Sequence, residues 1–245
     1  MRRLWARKAR GSRRVPEGVR IYAIGDIHGR VDLLDALLER IEADAARHPS
    51  TQAIEVYLGD YVDRGLSSQS VLERLATDEH RHHRVFLRGN HDPFITDFIK
   101  SPSVLEAWQH IGGLETLMSY GIRPTINADA ATRSRLAADF DRVLPDSHRR
   151  FLSHLKSSFE CGDFFFVHAG VRPGIALNKQ RDEDLLWIRQ DFLLCEDDFG
   201  KTIVHGHTPV LDPDIRSNRI NIDTGAYATG RLTCLVLEGE AIRFI

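Results

Sequence analysis

Val19-Arg20-Ile21-Tyr22-Ala23-Ile24 runs without a break into Gly25-Asp26-Ile27-His28-Gly29, and Leu33, Leu34, Leu37, Leu38 and Ile41 follow. The first six residues form a short β-type run, the glycine-aspartate pair marks a turn, and the leucine spacing is that of one helix face. The same order returns twice. Ile54 to Leu58 leads into Gly59-Asp60 with helical spacing near Ser68 to Ala76, and Arg84 to Leu87 leads into Gly89-Asn90 with a helix expected from about Asp92. Repeated strand-turn-helix units argue for an α/β protein with parallel strands, because a crossover helix is what returns the chain in the same direction.

Working outward, the stretch from Pro93 to Glu160 shows helical patterns broken by Gly112-Gly113, Gly121 and Pro124 and no clear strand, so residues 93–160 read as a helical insertion. Strand patterns resume at Phe164 to Val167, Thr202 to Val204, Ile220 to Ile222, Leu232 to Leu237 and Ala241 to Ile245. Turns separate the late strands, which predicts an antiparallel portion. The 245 residues, 42% hydrophobic and 28% charged, fit one ordinary globular domain over 19–245 with a sizeable core. No apolar run approaches the roughly 20 residues needed to cross a bilayer, and no secretory signal opens the chain, so a cytoplasmic location is expected. Cys161, Cys195 and Cys234 lie far apart and read as reduced, buried residues. Arg2, Arg3, Arg7, Lys8, Arg10, Arg13 and Arg14 precede Val15 with no acid among them. Residues 1–18 therefore read as a basic, disordered tail, with contact to nucleic acid or a membrane the sharper alternative to a solvated segment.

The chemistry lies directly after the apolar runs: Asp26 and His28, Asp60, Asn90 and His91, His168, then His205 and His207. Every one is a metal-ligand or acid-base residue type. Carboxyl ends of strands in open α/β sheets converge on one crevice, so residues far apart in sequence would meet there. Carboxylates, an amide oxygen and imidazoles form a mixed oxygen and nitrogen set that suits Mn²⁺, Fe or Zn²⁺ better than Ca²⁺ or Mg²⁺. The inventory exceeds what one ion needs. It fits two divalent ions roughly 3.5–4 Å apart, the spacing of two-metal hydrolases, with one carboxylate bridging. Asp60, central in sequence among the ligands, is the choice for that bridge.

Gly25-Asp26-Ile27-His28-Gly29, Gly59-Asp60-Tyr61-Val62-Asp63-Arg64-Gly65 and Arg88-Gly89-Asn90-His91-Asp92 resemble the three signature blocks of the phosphoprotein phosphatase family of metallophosphoesterases. His168-Ala169-Gly170 and Gly206-His207-Thr208 resemble its two histidine motifs, so the likeness runs from about Val19 to the C-terminus. The resemblance implies the calcineurin-like metallophosphoesterase fold: α/β class, two mixed β-sheets sandwiched between helices, with a helical insertion. It implies Asp26 and His28 on one metal, Asp60 bridging, and Asn90, His168 and His207 on the other, with manganese the first expectation. His91 would protonate the leaving oxygen with Asp63 orienting it, Arg64 and Arg189 would hold phosphate oxygens, and Tyr227 would line the site. His205 reads as structural. Asp92 stands where the eukaryotic protein phosphatases carry Glu, a variation that resembles bacterial and phage members.

Other residues receive plainer readings. Gly200-Lys201-Thr202 lacks the first glycine and following helix of a phosphate loop. His80, His82 and His83 read as a solvated face, and His48, His110, His148 and His154 as surface or capping residues. Trp108 and Trp187 read as packing residues. The leading function is a serine/threonine protein phosphatase acting on a phosphorylated protein, and the alternative is a bis(5'-nucleosyl)-tetraphosphatase acting on a nucleotide substrate. An inactive metal-binding scaffold is the reading of a different class. The oligomeric state is not legible.

Overall fold

The computed structural model describes residues 13–50, 52–76 and 82–245. The first half runs β1 (Val19–Ile24), α1 (Val31–Arg47), β2 (Gln52–Tyr57), α2 (Ser68–Leu75) and β3 (His83–Phe86). Five helices follow: α3 (Pro93–Lys100), α4 (Leu105–Trp108), α5 (Gly113–Ser119), α6 (Ala130–Val143) and α7 (Asp146–Ser153). The second half runs β4 (Ser158–Cys161), β5 (Phe164–Val167), α8 (Asp182–Trp187), α9 (Gln190–Leu193), β6 (Thr202–His205), β7 (Asp214–Ile215), β8 (Arg219–Asn221), α10 (Ala226–Thr229), β9 (Cys234–Glu238) and β10 (Ala241–Phe244).

The strands form two five-stranded mixed sheets, ordered β10-β9-β1-β2-β3 and β4-β5-β6-β8-β7. β1, β2 and β3 are parallel, with Ile21 opposite Ile54 and Ile54 opposite His83. β9 adds antiparallel to β1 and β10 to β9. Alternation along β1 sends Ile21 and Ala23 to one face and Tyr22 and Ile24 to the other. Ile21, Ala23, Val56, Leu58, Leu235 and Leu237 meet Phe164, Phe166, Val204 and Ile220 of the second sheet in a core between the sheets. Tyr22, Ile24 and Tyr57 pack instead under α1, α2 and the inserted helices, with Leu34, Leu72, Phe98, Trp108 and Phe140. Phe165, Val167 and Ile203 pack under Leu185, Ile188 and Phe192 on the far face. The layers are thus α/β/β/α, as the resemblance implied. Strands buried on both faces explain why their sequences are almost continuously apolar.

Several expectations need correction. β4 begins inside residues 93–160, which read as a helical insertion with no clear strand, and β7 is only two residues long, so neither shows a readable period. β6 and β8 are parallel although no helix joins them; the short strand β7, antiparallel to β8, returns the chain between them. Residues before Val19 also take part in the packed body. Val15 is buried among the residues of the sheet-sheet core and its N–H donates to the Gly239 carbonyl at 3.0 Å. Arg14 N–H donates to Asp163 Oδ2 at 3.0 Å. The part of the basic tail before Arg13 lies outside the described residues, as does His80. Of the cysteines only Cys234 is buried. His148, read as a surface or capping residue, is buried and shares hydrogen bonds with the Tyr120 hydroxyl and Glu73, and His82, read as part of a solvated face, lies partly buried at 3.0 Å from Glu55. No helix among the described residues is long and apolar enough to cross a membrane.

Asp44 on α1 ties that helix to the sheet. Its carboxylate accepts from the Tyr22 hydroxyl at 2.8 Å and from both terminal nitrogens of Arg243 at 2.6 and 2.7 Å. Burial opposes its charge, but these donors outweigh burial and hold its pKa below the ordinary carboxylate value of 3.8. The stabilisation is therefore complete above that ordinary value and is lost as pH falls through the lower folded-state pKa. Asp44→Ala, which strands the buried Tyr22 hydroxyl, is expected to destabilise by about 1–3 kcal/mol at pH 7. The loss relative to the natural chain should shrink in denaturant melts below pH 4; an equal loss at both pH values would exclude the ionised pair as its source.

Candidate active site

Each candidate side chain sits at a strand tip or just beyond it: Asp26 and His28 after β1, Asp60 after β2, Asn90 and His91 after β3, His168 after β5 and His207 after β6. All seven are buried. Two groups of ligand atoms emerge, one from His28, Asp60 and His91 and the other from Asp60, His168 and His207. Asp60 is common to both and divides its oxygens between them. Oδ2 faces His28 Nε2 at 3.4 Å and His91 Nε2 at 3.8 Å, while Oδ1 faces His168 Nε2 at 3.5 Å. Asn90 Oδ1 lies 2.8 Å from both His168 Nε2 and His207 Nδ1. Asp26 belongs to neither group, but its Oδ2 accepts the His207 backbone N–H at 3.0 Å and its buried Oδ1 has no partner.

The backbone is bent to achieve this. His28, Asp60, Asp63, Arg64 and His207 all take positive φ, between 46° and 71°, and only Asn127 joins them among the described non-glycine residues. Such conformations cost on the order of 1–3 kcal/mol each and persist where surrounding bonds over-determine them. Those bonds are present. Asp92, which sequence reading noted only as a variation, accepts backbone N–H groups from Asp60, Tyr61 and Gly89 at 3.1, 3.0 and 2.7 Å. A methyl group on Gly89 would collide with Asp60 Oδ1, and one on Gly206 with Asp26 Oδ1, so both glycines let backbone close on a ligand carboxylate.

The protonation pattern fits cations. His28 Nδ1–H donates to the Val62 carbonyl at 2.8 Å and His168 Nδ1–H to the Leu58 carbonyl at 2.9 Å. Burial lowers the pKa of His28 to about 3 and of His207 to about 2, and it lowers His168 as well. With Nδ1 protonated, the neutral rings of His28 and His168 present Nε2 lone pairs to Asp60 and Asn90, while His207 faces Asn90 Oδ1 through Nδ1. Lone pairs facing carboxylate and amide oxygens across a buried space repel unless positive charge stands between them. Burial, Asp223 and Asp60 raise the pKa of Asp26, and burial with Asp60 takes Asp223 to about 6 despite a hydrogen bond from the Gly225 N–H. Carboxylates crowded in this way are what a divalent cation compensates. Asp223 was not singled out from sequence, because it ends no long apolar run.

Around these groups lies a second tier. His91 Nδ1 meets Asp63 Oδ2 at 2.7 Å, and Asp63 also accepts from Thr116 Oγ1 at 2.6 Å and Trp108 Nε1 at 2.9 Å. Trp108 is wholly buried, as expected of a packing residue, yet it also fixes Asp63; a tryptophan and threonine in the helical insertion carry no sequence signal for that task. Arg64 donates from Nη2 to His91 Nε2 at 3.2 Å and places its guanidinium 4.7 Å from the Tyr227 ring centre. The Tyr227 ring lies edge-on to His28 at 5.5 Å. Arg189 is exposed at the rim, 3.3 Å from Thr208 Oγ1. His205 is buried against Phe192, outside both ligand groups. Trp187 departs from its packing expectation: it is 47% exposed, with its ring 6.1 Å from that of His207.

Two mixed sheets packed face to face, with a buried cluster of histidines, carboxylates and an amide at their strand tips, define a metal-dependent phosphoesterase, a hydrolase. The chain belongs to the calcineurin-like phosphoesterase family, whose pattern matches residues 19–234. It is 27% identical over 231 residues, 86% of this chain and 88% of the relative, to bis(5'-nucleosyl)-tetraphosphatase PrpE [asymmetrical] of Anoxybacillus flavithermus. The PrpE of Bacillus subtilis is 26% identical over 86% of this chain and 87% of its own. Among solved structures, a protein serine/threonine phosphatase of Saccharomyces cerevisiae has the same fold, with a TM-score of 0.51 at 17% identity over 89% of this chain and 72% of that one.

Proposed function

We propose that the chain is a dinucleoside polyphosphate hydrolase that cuts a substrate such as diadenosine tetraphosphate into unequal pieces. This reverses the order of the two readings drawn from sequence. The observation that carries it is the likeness to tetraphosphatases that spans 86% of this chain at nearly equal length. The helical insertion supplies Trp108 and Thr116, which hold Asp63.

In this reading Asp26, His28 and Asp60 would hold one divalent ion and Asp60, Asn90, His168 and His207 the other, with manganese the first choice. Bound there, the ions supply Lewis-acid neutralisation of phosphate charge and activation of water at neutral pH. The chain's own groups supply the rest. Burial opposes the charged form of His91, but Asp60 and Asp63 outweigh it and raise its pKa, so the ring can carry the proton that a poor leaving group needs. Arg64 now donates to the same Nε2. A phosphate group competing for that planar guanidinium would draw Arg64 off His91 and free Nε2 to face the leaving oxygen. The Tyr227 ring limits where Arg64 can swing. Arg189, beside Thr208, offers a second, exposed guanidinium.

Purified protein with added Mn²⁺, its metal content confirmed by elemental analysis, should hydrolyse diadenosine tetraphosphate with a kcat/KM on the order of a hundred-fold above any member of a phosphopeptide panel. The opposite ratio would restore the protein phosphatase reading.

A further inference from the structure

We infer that Trp187 is the platform on which a nucleobase of the substrate stacks, making it a specificity-determining residue for nucleotides. The inference rests on the proposed nucleotide reading and adds the group that would recognise the base. Trp187 closes α8 between residues that are firmly held: Leu185 and Ile188 are buried, and the Leu185 carbonyl accepts the Ala169 N–H at 2.8 Å, next to His168. The ring between them turns outward, 47% exposed, with its edge contact to His207 the link to the ligand cluster. A large aromatic ring left half in water beside a polar centre forgoes the burial that usually places tryptophan.

The remaining rim residues narrow its use. Tyr227, the other exposed ring at the site, already carries the Arg64 guanidinium and abuts His28, so its role is to place Arg64. Trp187 is followed two residues later by Arg189, whose exposed guanidinium reaches Thr208 beside His207. An aromatic surface next to an exposed guanidinium at the same rim matches a base joined through ribose to a phosphate. An unequal cut of a tetraphosphate bridge leaves a single phosphate on one nucleoside. The reacting phosphorus is then close to a base, and a ring adjacent to a metal ligand lies within reach of it.

The test compares AMP with ribose 5-phosphate as competitive inhibitors of p-nitrophenyl phosphate hydrolysis, in the natural chain, Trp187→Ala and Trp187→Phe. AMP is expected to bind about tenfold more tightly than ribose 5-phosphate to the natural chain, with the preference lost in Trp187→Ala and largely kept in Trp187→Phe. The ratio of kcat/KM on diadenosine tetraphosphate to that on p-nitrophenyl phosphate should fall by a similar factor in Trp187→Ala. Equal inhibition by the two compounds in the natural chain, or a preference that survives Trp187→Ala, overturns the platform. If both ratios stay fixed while all activities drop together, the ring only supports His207 and the inference likewise fails. A natural chain that prefers AMP through Trp187 yet cleaves diadenosine tetraphosphate poorly would sink the proposed substrate and leave the platform standing.

Discussion

Asp60→Asn is expected to lower metal-dependent hydrolysis by on the order of a thousand-fold or more and to reduce the bound divalent metal per chain by half or more. The size follows from position. Asp60 is the one side chain shared by both ligand groups, and it turns a different oxygen to each. An amide keeps the shape but loses the charge and one acceptor oxygen, so one group would meet N–H donors where it needs an anion. The Asp60 carboxylate accepts the His91 backbone N–H at 3.0 Å and faces three histidine rings, so the charge being removed is one the site is built around. Elemental analysis and steady-state kinetics on the same preparation check both halves. Full metal content with activity within tenfold of the natural chain would show that Asp60 does not join the two groups.

The second large effect is selective. His91→Asn should slow hydrolysis of an alkyl phosphate by about 10²–10⁴-fold, the usual worth of a positioned general acid, and of p-nitrophenyl phosphate by less than tenfold. An alkoxide leaves poorly without a proton, whereas nitrophenolate scarcely needs one. A phosphoanhydride behaves like the second case because its leaving group is already a weak base. Diadenosine tetraphosphate should therefore tolerate the substitution better than a phosphoserine peptide, and the order of losses reports on leaving-group chemistry independently of which substrate is preferred. Equal losses on all three would contradict the acid role and leave His91 as a structural neighbour of Asp60. The existing contacts favour the selective outcome, since Nδ1 is committed to Asp63 and Nε2 points into the cluster.

Much of this was legible before folding. Leu34, Leu37, Leu38 and Ile41 recur on one helix face because α1 buries one face, and the turns after β1, β2 and β3 carry the ligand types because strand tips are where side chains leave the sheet for the crevice. What could not be read lacks a local pattern. β7 is too short for a period to appear. His148 and His82 looked like surface residues because their partners, Tyr120, Glu73 and Glu55, come from other elements. Val15 followed a run of arginines, and only the space between two sheets gives it a place in the core.

The sequence by itself determined the succession of strands and helices from β1 to α3 and the identity of the metal-type residues, since periodicity and residue chemistry are local properties of the chain. Tertiary structure alone decided that Trp108 and Thr116 hold Asp63, that Asp92 gathers three backbone N–H groups, and that Trp187 faces solvent while Trp108 does not. Each depends on which distant segment fills the neighbouring space, and packing, unlike periodicity, is a property of the whole fold.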